Sequence, residues 1–251
     1  MDLVRLVEHK APRVSAPVLV EGLPGIGNVG KLAAQQIVDT SGAALWFDVF
    51  SNDFPPQVTV EDDGTVRLVR CQLWVVPARR GTPPMVVLTG DYQPLSSPGQ
   101  YALVEAVLER VLPLGCKQVV TLGGYGLGSP VDEPGVLCAG TSRAVLERLA
   151  KAGAKREPGE PSGGIIGASG LFLGLGMQHG ADGACLMGET SGYMVDPKAA
   201  RAVLRVLGAY LGTSFDTESL EDRARDLDRL AHQLHEAEAA AREPGDLHYI
   251  G

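Results

Sequence analysis

A glycine-rich turn near the start of the chain has the residue spacing of a dinucleotide-binding loop. In the segment VLVEGLPGIGNVGKLAAQQIV, Gly25, Gly27 and Gly30 form a G-x-G-x-x-G pattern between an apolar run and a helical pattern. Glycines permit a tight turn, and the amides at the start of the following helix can hold a phosphate. Asp48 lies in the next apolar run, where a ribose-binding carboxylate is expected about 20 residues downstream of such a turn.

Two features of this region weaken the nucleotide interpretation. Pro24 immediately precedes the first glycine, so it removes one amide donor and stiffens the turn. Asp48 lies inside WFDVF, beside aromatic residues, and not at the end of the run. The pattern alone therefore leaves two alternatives, a nucleotide site or an ordinary strand–turn–helix connection.

Acidic side chains stand at the ends of three apolar runs, each next to a glycine. They are Glu21, Asp91 and Glu189, and Tyr125 follows a pair of glycines at the end of a fourth run. Because the carboxyl ends of parallel strands meet at one edge of a sheet, these side chains could line one cleft with Asn28 at its rim. Paired carboxylates do general acid–base chemistry when burial separates their pKa values. No base, nucleophile or metal set accompanies them, which favours a structural role in capping helices and holding loops.

The other reactive side chains form no recognisable catalytic set. His232 and His235 are three residues apart on the polar side of a long helical pattern, where a metal site would need further ligands. Ser169 lies in GASGL, which is one residue short of a nucleophile elbow. The cysteines form no C-x-x-C pair and mostly lie in apolar runs, as buried free thiols do: Cys71, Cys116, Cys138 and Cys185. The sequence therefore predicts no metal site and no disulfide.

Composition limits the class of partner. The 251-residue chain has a formal net charge of -8, which would repel a phosphate backbone and disfavours nucleic acid. It shows neither a secretory leader pattern nor an apolar run of the roughly 18 residues that a membrane span needs. We therefore expect a cytosolic protein that is not inserted in a membrane.

The elements that must position these residues alternate between short apolar runs and helical patterns from Val18 to Leu211. This alternation predicts an α/β fold, a three-layer α/β/α sandwich with a mostly parallel central sheet, over residues 1–212. Residues 65–78 predict an antiparallel hairpin, and residues 142–152 a helix capped by Thr141. Residues 164–180 predict a helix buried on nearly all sides, and Asp196 is expected to cap the last helix of the domain.

The composition changes after Gly212. Residues 213–243 contain a long helix with a narrow Leu/Ala stripe, which fits either a coiled-coil seam or a helix folded flat on its own domain. Residues 244–251 form a short tail that starts with Pro244-Gly245.

Four blocks of sequence, in order, resemble the archaeal branch of the proteasome assembly chaperone family, relatives of the second eukaryotic chaperone. They are EGLPGIGNVGKLAAQQIV, LTGDYQP, TLGGYG and LMGETSGYMVDPKAARAVLRVL. The resemblance implies an α/β/α sandwich without catalysis or cofactor, forming homo-oligomers that bind proteasome α-subunits and assist assembly of the 20S core without ATP. It also implies that the glycine turn is a feature of the fold and not a cofactor site.

The same resemblance draws attention to the last five residues. Archaeal members often end in a hydrophobic–tyrosine–any-residue sequence that enters pockets between α-subunits. Here the chain ends Leu247-His248-Tyr249-Ile250-Gly251, so the tyrosine is third from the end and the pattern is shifted by one residue. The tail either docks with Leu247 as anchor and Tyr249 in the aromatic position, or packs on the protein's own surface. The alternative from another class is an α/β enzyme or nucleotide-binding protein, similar to nucleoside phosphorylases, that uses the turn from Gly25 to Gly30.

Overall fold

A computed structural model of the chain describes residues 3–157, 159, 161, 163–227 and 229. The strands are β1 (Val4–Glu8), β2 (Val18–Glu21), β3 (Ala44–Ser51), β4 (Val58–Val60), β5 (Val66–Leu68), β6 (Cys71–Val76), β7 (Met85–Gly90), β8 (Gln118–Gly126), β9 (Val136–Gly140) and β10 (Asp182–Thr190). The helices are α1 (Val29–Thr40), α2 (Ser97–Val111), α3 (Arg143–Lys151), α4 (Ala168–Gln178), α5 (Pro197–Leu211) and α6 (218–227).

Eight strands form one mixed sheet in the order β1-β3-β6-β7-β2-β8-β10-β9, and β4 and β5 form a separate ribbon. The four strands β7, β2, β8 and β10 pair in parallel, whereas β1, β3, β6 and β9 join the sheet through antiparallel pairs. The predicted α/β class is confirmed, and parallel pairing is confined to the centre. The predicted hairpin over 65–78 is wrong in its pairing, because β5 pairs with β4 while β6 lies between β3 and β7.

Helices cover both faces of the sheet, and this explains the uninterrupted apolar strands. Val18 and Val20 of β2 face a core that includes α1, α3 and α5. Leu19, between them, faces a second core that includes α2 and α4. A strand that is buried on both sides needs apolar residues at every position.

Of the two helix N-caps predicted from the sequence, one is confirmed and one is wrong. The Asp196 carboxylate accepts a hydrogen bond of 2.9 Å from the Ala199 amide at the start of α5, as predicted. At α3, however, Ser142 is the cap and accepts from the Val145 amide at 3.2 Å. Thr141 does not cap α3, because its hydroxyl accepts instead from the Gly183 amide of β10 at 2.8 Å.

Helix α4 is buried on one face only, which corrects the prediction for residues 164–180. Phe172 and Leu173 are buried, whereas Met177 is 53% exposed on the opposite side. A helix that is apolar on all sides is normally buried on all sides. Because α4 is buried on one face only, its other face is an exposed apolar surface that includes Met177.

The described part of the C-terminal helix packs on the domain. Leu220 of α6 is buried in the core that includes α1 and α5. Gln36 of α1 donates a hydrogen bond of 2.9 Å to the carbonyl of Asp216 and accepts one of 2.6 Å from the Ser219 hydroxyl. Arg201 of α5 forms an ion pair of 3.1 Å with Glu221. Over these residues the helix lies flat on its own domain.

Candidate functional site

The parallel pairing places the ends of β7, β2, β8 and β10 at one edge of the sheet, as the strand-end residues predicted. The glycine turn lies directly on this edge. A Cβ at Gly124 of β8 would stand 2.3 Å from the carbonyl oxygen of Ile26, and a Cβ at Gly27 would stand 3.0 Å from the hydroxyl of Thr190 at the end of β10. The amide of Asp196 also donates to the Gly27 carbonyl at 2.9 Å. The turn therefore packs against two strand ends.

The glycines of the turn and its flanks serve close packing and backbone shape. A Cβ at Gly30 would stand 2.1 Å from the Leu122 carbonyl oxygen, so only glycine lets α1 approach β8 this closely. A Cβ at Gly22 would stand 2.2 Å from the Gly30 oxygen. Gly27 and Asn28 both have left-handed backbone, with φ of 60° and 50°. Gly25 is exposed and extended, with φ of -164°.

Asp48 is not placed as a ribose ligand. Its strand, β3, is separated from β2 by β6 and β7. The buried carboxylate contacts His9 Nε2 at 2.8 Å, accepts from Gln72 Nε2 at 2.9 Å and lies 3.2 Å from Arg70 Nε. These three partners give Asp48 a role in joining β1, β3 and β6.

Glu21, at the end of β2, is fully buried on the face covered by α4. Its Oε1 accepts from the Leu23 amide at 3.0 Å, and its Oε2 accepts from the Ser169 hydroxyl at 2.8 Å. Burial raises the pKa of Glu21 to about 7, although both hydrogen bonds act to lower it. A carboxyl group with this pKa is suited to proton transfer, but here it has no exposed surface.

Gln93, which sequence reasoning missed, completes the connections around Glu21. Its Oε1 accepts from the Ala168 amide at the start of α4 at 3.1 Å, and its Nε2 donates to the Pro24 carbonyl at 2.7 Å. Together with the Ser169–Glu21 bond, this side chain joins the glycine turn to the N-terminus of α4. Only its place two residues after Asp91 in LTGDYQP hinted at such a role.

The other two strand-end carboxylates bind cations from different segments. Asp91 accepts from Arg67 at 2.5 and 3.2 Å and from the Arg70 amide at 3.0 Å. Burial alone would raise the pKa of Asp91, but these hydrogen bonds lower it. Glu189 lies 3.2 Å from Lys155 Nζ and accepts from the Gly135 amide at 2.9 Å. Each of the three acids thus has its own protein partners.

The described residues also bear on metal sites, disulfides and membrane-spanning helices. No group of three or more His, Cys, Asp or Glu side chains there could hold a metal ion. The four cysteines are buried and free. No helix among the described residues is both long and apolar enough to cross a bilayer.

An exposed apolar patch borders the glycine turn. We call it the strand-edge patch, and it comprises Ile26, Leu127, Tyr193, Met194 and Val195. Tyr193 is 81% exposed and Met194 62%. Ile26 Cγ2 lies 3.5 Å from where a Cβ of Gly126 or Gly192 would stand, so the loops after β8 and β10 meet at the turn. Tyrosine and methionine are enriched at protein interfaces. The edge of the sheet therefore offers a contact surface where a nucleotide-binding protein has a crevice.

The predicted tail residues, Leu247 to Gly251, lie outside the described residues, as do His232 and His235. Tyr125 is placed at the end of β8, opposite Glu189 of β10.

Comparison with known proteins identifies relatives over the whole chain. The protein MJ1210 of Methanocaldococcus jannaschii is 37% identical over 100% of both chains. PbaB of Pyrococcus furiosus, described as an archaeal proteasome activator, has a similar structure, with a TM-score of 0.87, 32% identity and coverage of 94% of this chain and 100% of that one. PbaA of the same organism is described as an archaeal homolog of proteasome-assembly chaperone. Its structure has a TM-score of 0.77 and 27% identity, and the match covers 95% of this chain and 94% of PbaA. The model of the PAC2 family matches residues 19–235, and the chain therefore belongs to the PAC2 family.

Proposed function

We propose that this protein is a proteasome assembly chaperone that works without ATP and binds α-subunits of the 20S proteasome as a cytoplasmic homo-oligomer. The observation that carries the proposal is the similarity to PbaB, which extends over 94% of this chain and all of that one. The similarity to PbaA, an archaeal homolog of proteasome-assembly chaperone, supports the same proposal.

The geometry of the sheet edge supports a binding role over catalysis. The turn that would hold a phosphate is packed on β8 and β10. Glu21, the one strand-end acid with a raised pKa, is buried beneath α4. What the edge exposes instead is the strand-edge patch, whose apolar side chains suit contact with another protein.

The tail residues Leu247, His248, Tyr249, Ile250 and Gly251 are proposed to supply part of the contact with α-subunits. A short peptide binds weakly alone, because ordering it costs conformational entropy. Several tails on one oligomer raise the effective concentration, so that the assembly binds tightly although each tail does not. The helix of residues 213–243 would set the distance between the tails and the sandwich of residues 1–212.

Deletion of Leu247–Gly251 tests this proposal. The full chain is expected to retain α-subunits in a pull-down, and the truncated chain to lose most of that binding while its own oligomer mass stays the same. Tyr249→Ala should weaken binding, and Glu147→Ala at an exposed position of α3, outside the tail, is the control that should bind as the wild type does. Equal retention of α-subunits by full and truncated chains would rule out the tail, and no retention by the full chain would rule out the function.

A further inference from the structure

The ribbon β4–β5 has an entirely aliphatic outer face. Val58 lies opposite Leu68, and Val60 lies opposite Val66. Because side chains alternate along a strand, these four point to the same side, and we call them the aliphatic face. Each is between 47% and 66% exposed.

The opposite side of the ribbon is fixed to the domain. Thr59 and Arg67 form the central pair and point inward. Arg67 binds the Asp91 carboxylate with two hydrogen bonds, of 2.5 and 3.2 Å, and also contacts Glu61. This anchor holds the aliphatic face outward, so the domain's own core does not cover it.

A groove of about 1,050 Å³ begins at the base of the ribbon. Its apolar lining includes Leu6 and Phe54, next to Val58 and Leu68 of the aliphatic face. Its polar lining includes two exposed arginines, Arg5 and Arg110. The Arg5 guanidinium lies 4.6 Å from the centre of the Phe50 ring, and that of Arg110 lies 6.0 Å from the Phe47 ring.

The tip of the ribbon has the opposite charge. The turn between β4 and β5 contains Glu61, Asp62 and Asp63, all exposed. Glu61 pairs with Arg67, and the Asp63 carboxylate accepts from the Thr65 amide at 2.9 Å and from its hydroxyl at 2.7 Å, which shapes the turn. Acidic tip and basic groove thus lie at the two ends of one aliphatic face.

We propose that β4–β5 is a contact surface between two copies of this chain, packed face to face about a twofold axis. This inference rests on the homo-oligomer of the proposed function and names one of its surfaces. An antiparallel arrangement of the two ribbons places the acidic tip of each copy over the basic groove of the other. Twofold contacts of this kind bring the same patch of both copies together.

The charge of the chain favours a second copy as the occupant, and the area needed shows which other residues must take part. A chain with a net charge of -8 repels its own copies, so association requires an uncharged face or paired opposite charges, and this surface has both. The aliphatic face alone is on the order of a few hundred Å², the size of the largest apolar patch on a typical monomer, which is often functional. A standard interface buries about 800 Å² per partner, so the apolar walls of the groove must contribute.

A pair of charge variants tests the proposal. The antiparallel packing sets Val58 of each copy against Val60 of the other. We therefore expect Val58→Glu with Val60→Glu to weaken self-association of the full chain at least about tenfold, because like charges would face each other, and to lower its mass by native mass spectrometry. Val58→Lys with Val60→Lys should do the same alone. Mixed in equal amounts, the two variants should co-assemble. The matched control is Met194→Glu with Val195→Glu on the strand-edge patch, which should keep the wild-type mass.

Circular dichroism should show that all three variants are folded, since every substituted side chain is exposed. The proposal is overturned if the Glu variant keeps the wild-type mass, if the Glu and Lys variants do not co-assemble, if only the strand-edge control dissociates, or if the wild-type chain is monomeric at micromolar concentration. An oligomer that co-assembles as expected but does not bind α-subunits would contradict the proposed function and leave this interface standing.

Discussion

The Ser169 hydroxyl donates a hydrogen bond of 2.8 Å to the buried Glu21 carboxylate and so joins the first turn of α4 to the end of β2. This contact connects residues that are 148 positions apart. It holds α4 over the edge of the sheet where the glycine turn also packs, and it leaves Glu21 without contact with solvent. The same acid that a sequence motif places in a cleft is therefore part of the interior.

Glu21 should make the stability of the protein depend on pH. Its pKa is about 7 in the folded chain, against an ordinary value of 4.5. The folded state therefore binds more protons than the unfolded state between these values, and the free energy of unfolding falls as pH rises from about 4.5 to 7. The size of this contribution is on the order of 3 kcal/mol.

Glu21→Gln should remove that part of the pH dependence. Urea unfolding at pH 5 and pH 8 measures it. We expect the wild type to lose more stability than the variant between the two pH values. The control is Glu147→Gln, which makes the same substitution at an exposed position of α3. A variant with the same loss of stability as the wild type would contradict burial of an ionisable Glu21.

Asp91→Asn should loosen the ribbon β4–β5. Arg67 loses the less exposed of its two charged partners, so amides of residues 58–68 should exchange hydrogen faster. The side chains of Asp91 and Arg67 are 21% and 28% exposed. Because solvent screens part of their attraction, the loss of stability at pH 7 should be about 1 kcal/mol.

The sign of the pH effect is opposite to that of Glu21. Folding lowers the pKa of Asp91, so its contribution is present above the ordinary aspartate range and is lost as pH falls through the lowered pKa. Glu61→Gln, which removes the more exposed partner of Arg67, is the control and should have a smaller effect. Equal exchange rates in Asp91→Asn and wild type would show that Arg67 does not anchor the ribbon.

Gly30→Ala should destabilise the fold itself. The added Cβ would stand 2.1 Å from the Leu122 carbonyl oxygen, a backbone atom that cannot move without shifting β8. Overpacking of this kind costs about 1–3 kcal/mol. Gly174→Ala in α4 is the control, because a Cβ there meets nothing within 4 Å and alanine favours a helix by about 0.5–1 kcal/mol. Thermal unfolding of both variants measures this, and an unchanged melting temperature in Gly30→Ala would contradict the close contact of α1 with β8.

Nucleotides should leave the melting temperature unchanged. A ligand at one hundred times its Kd stabilises a folded protein by about 2.7 kcal/mol, which a thermal shift assay detects readily. We expect no shift with NAD, ATP or nucleosides at millimolar concentration, since the glycine turn is packed on the strand ends. A reproducible shift that Gly27→Ala abolishes would instead support the nucleotide-binding alternative.

The sequence was most informative where one local rule decides the structure. The strand-end positions of Glu21, Asp91 and Glu189 follow from the alternation of apolar runs and helical patterns, and all three lie at one edge of the sheet. The Asp196 cap follows from its position before Pro197. These features depend on residues close together in the chain.

The partners of those acids depend on tertiary structure and could not be predicted. Arg67 and Lys155 reach Asp91 and Glu189 from 24 and 34 residues away. The antiparallel direction of the outer strands also depends on tertiary pairing. The exposed side of α4 could not be predicted either, because apolar residues on a surface have the same sequence pattern as core residues. Thr141 and Ser142 are equally good caps by type, and only the contact with β10 decides between them.

The most direct test of a proteasome-directed function is the native mass of the full chain, alone and after mixing with archaeal 20S proteasome α-subunits. We expect an oligomer of this chain alone and a larger complex containing both proteins in the mixture, formed without ATP. Masses in the mixture that equal those of the separate proteins would contradict the proposed function.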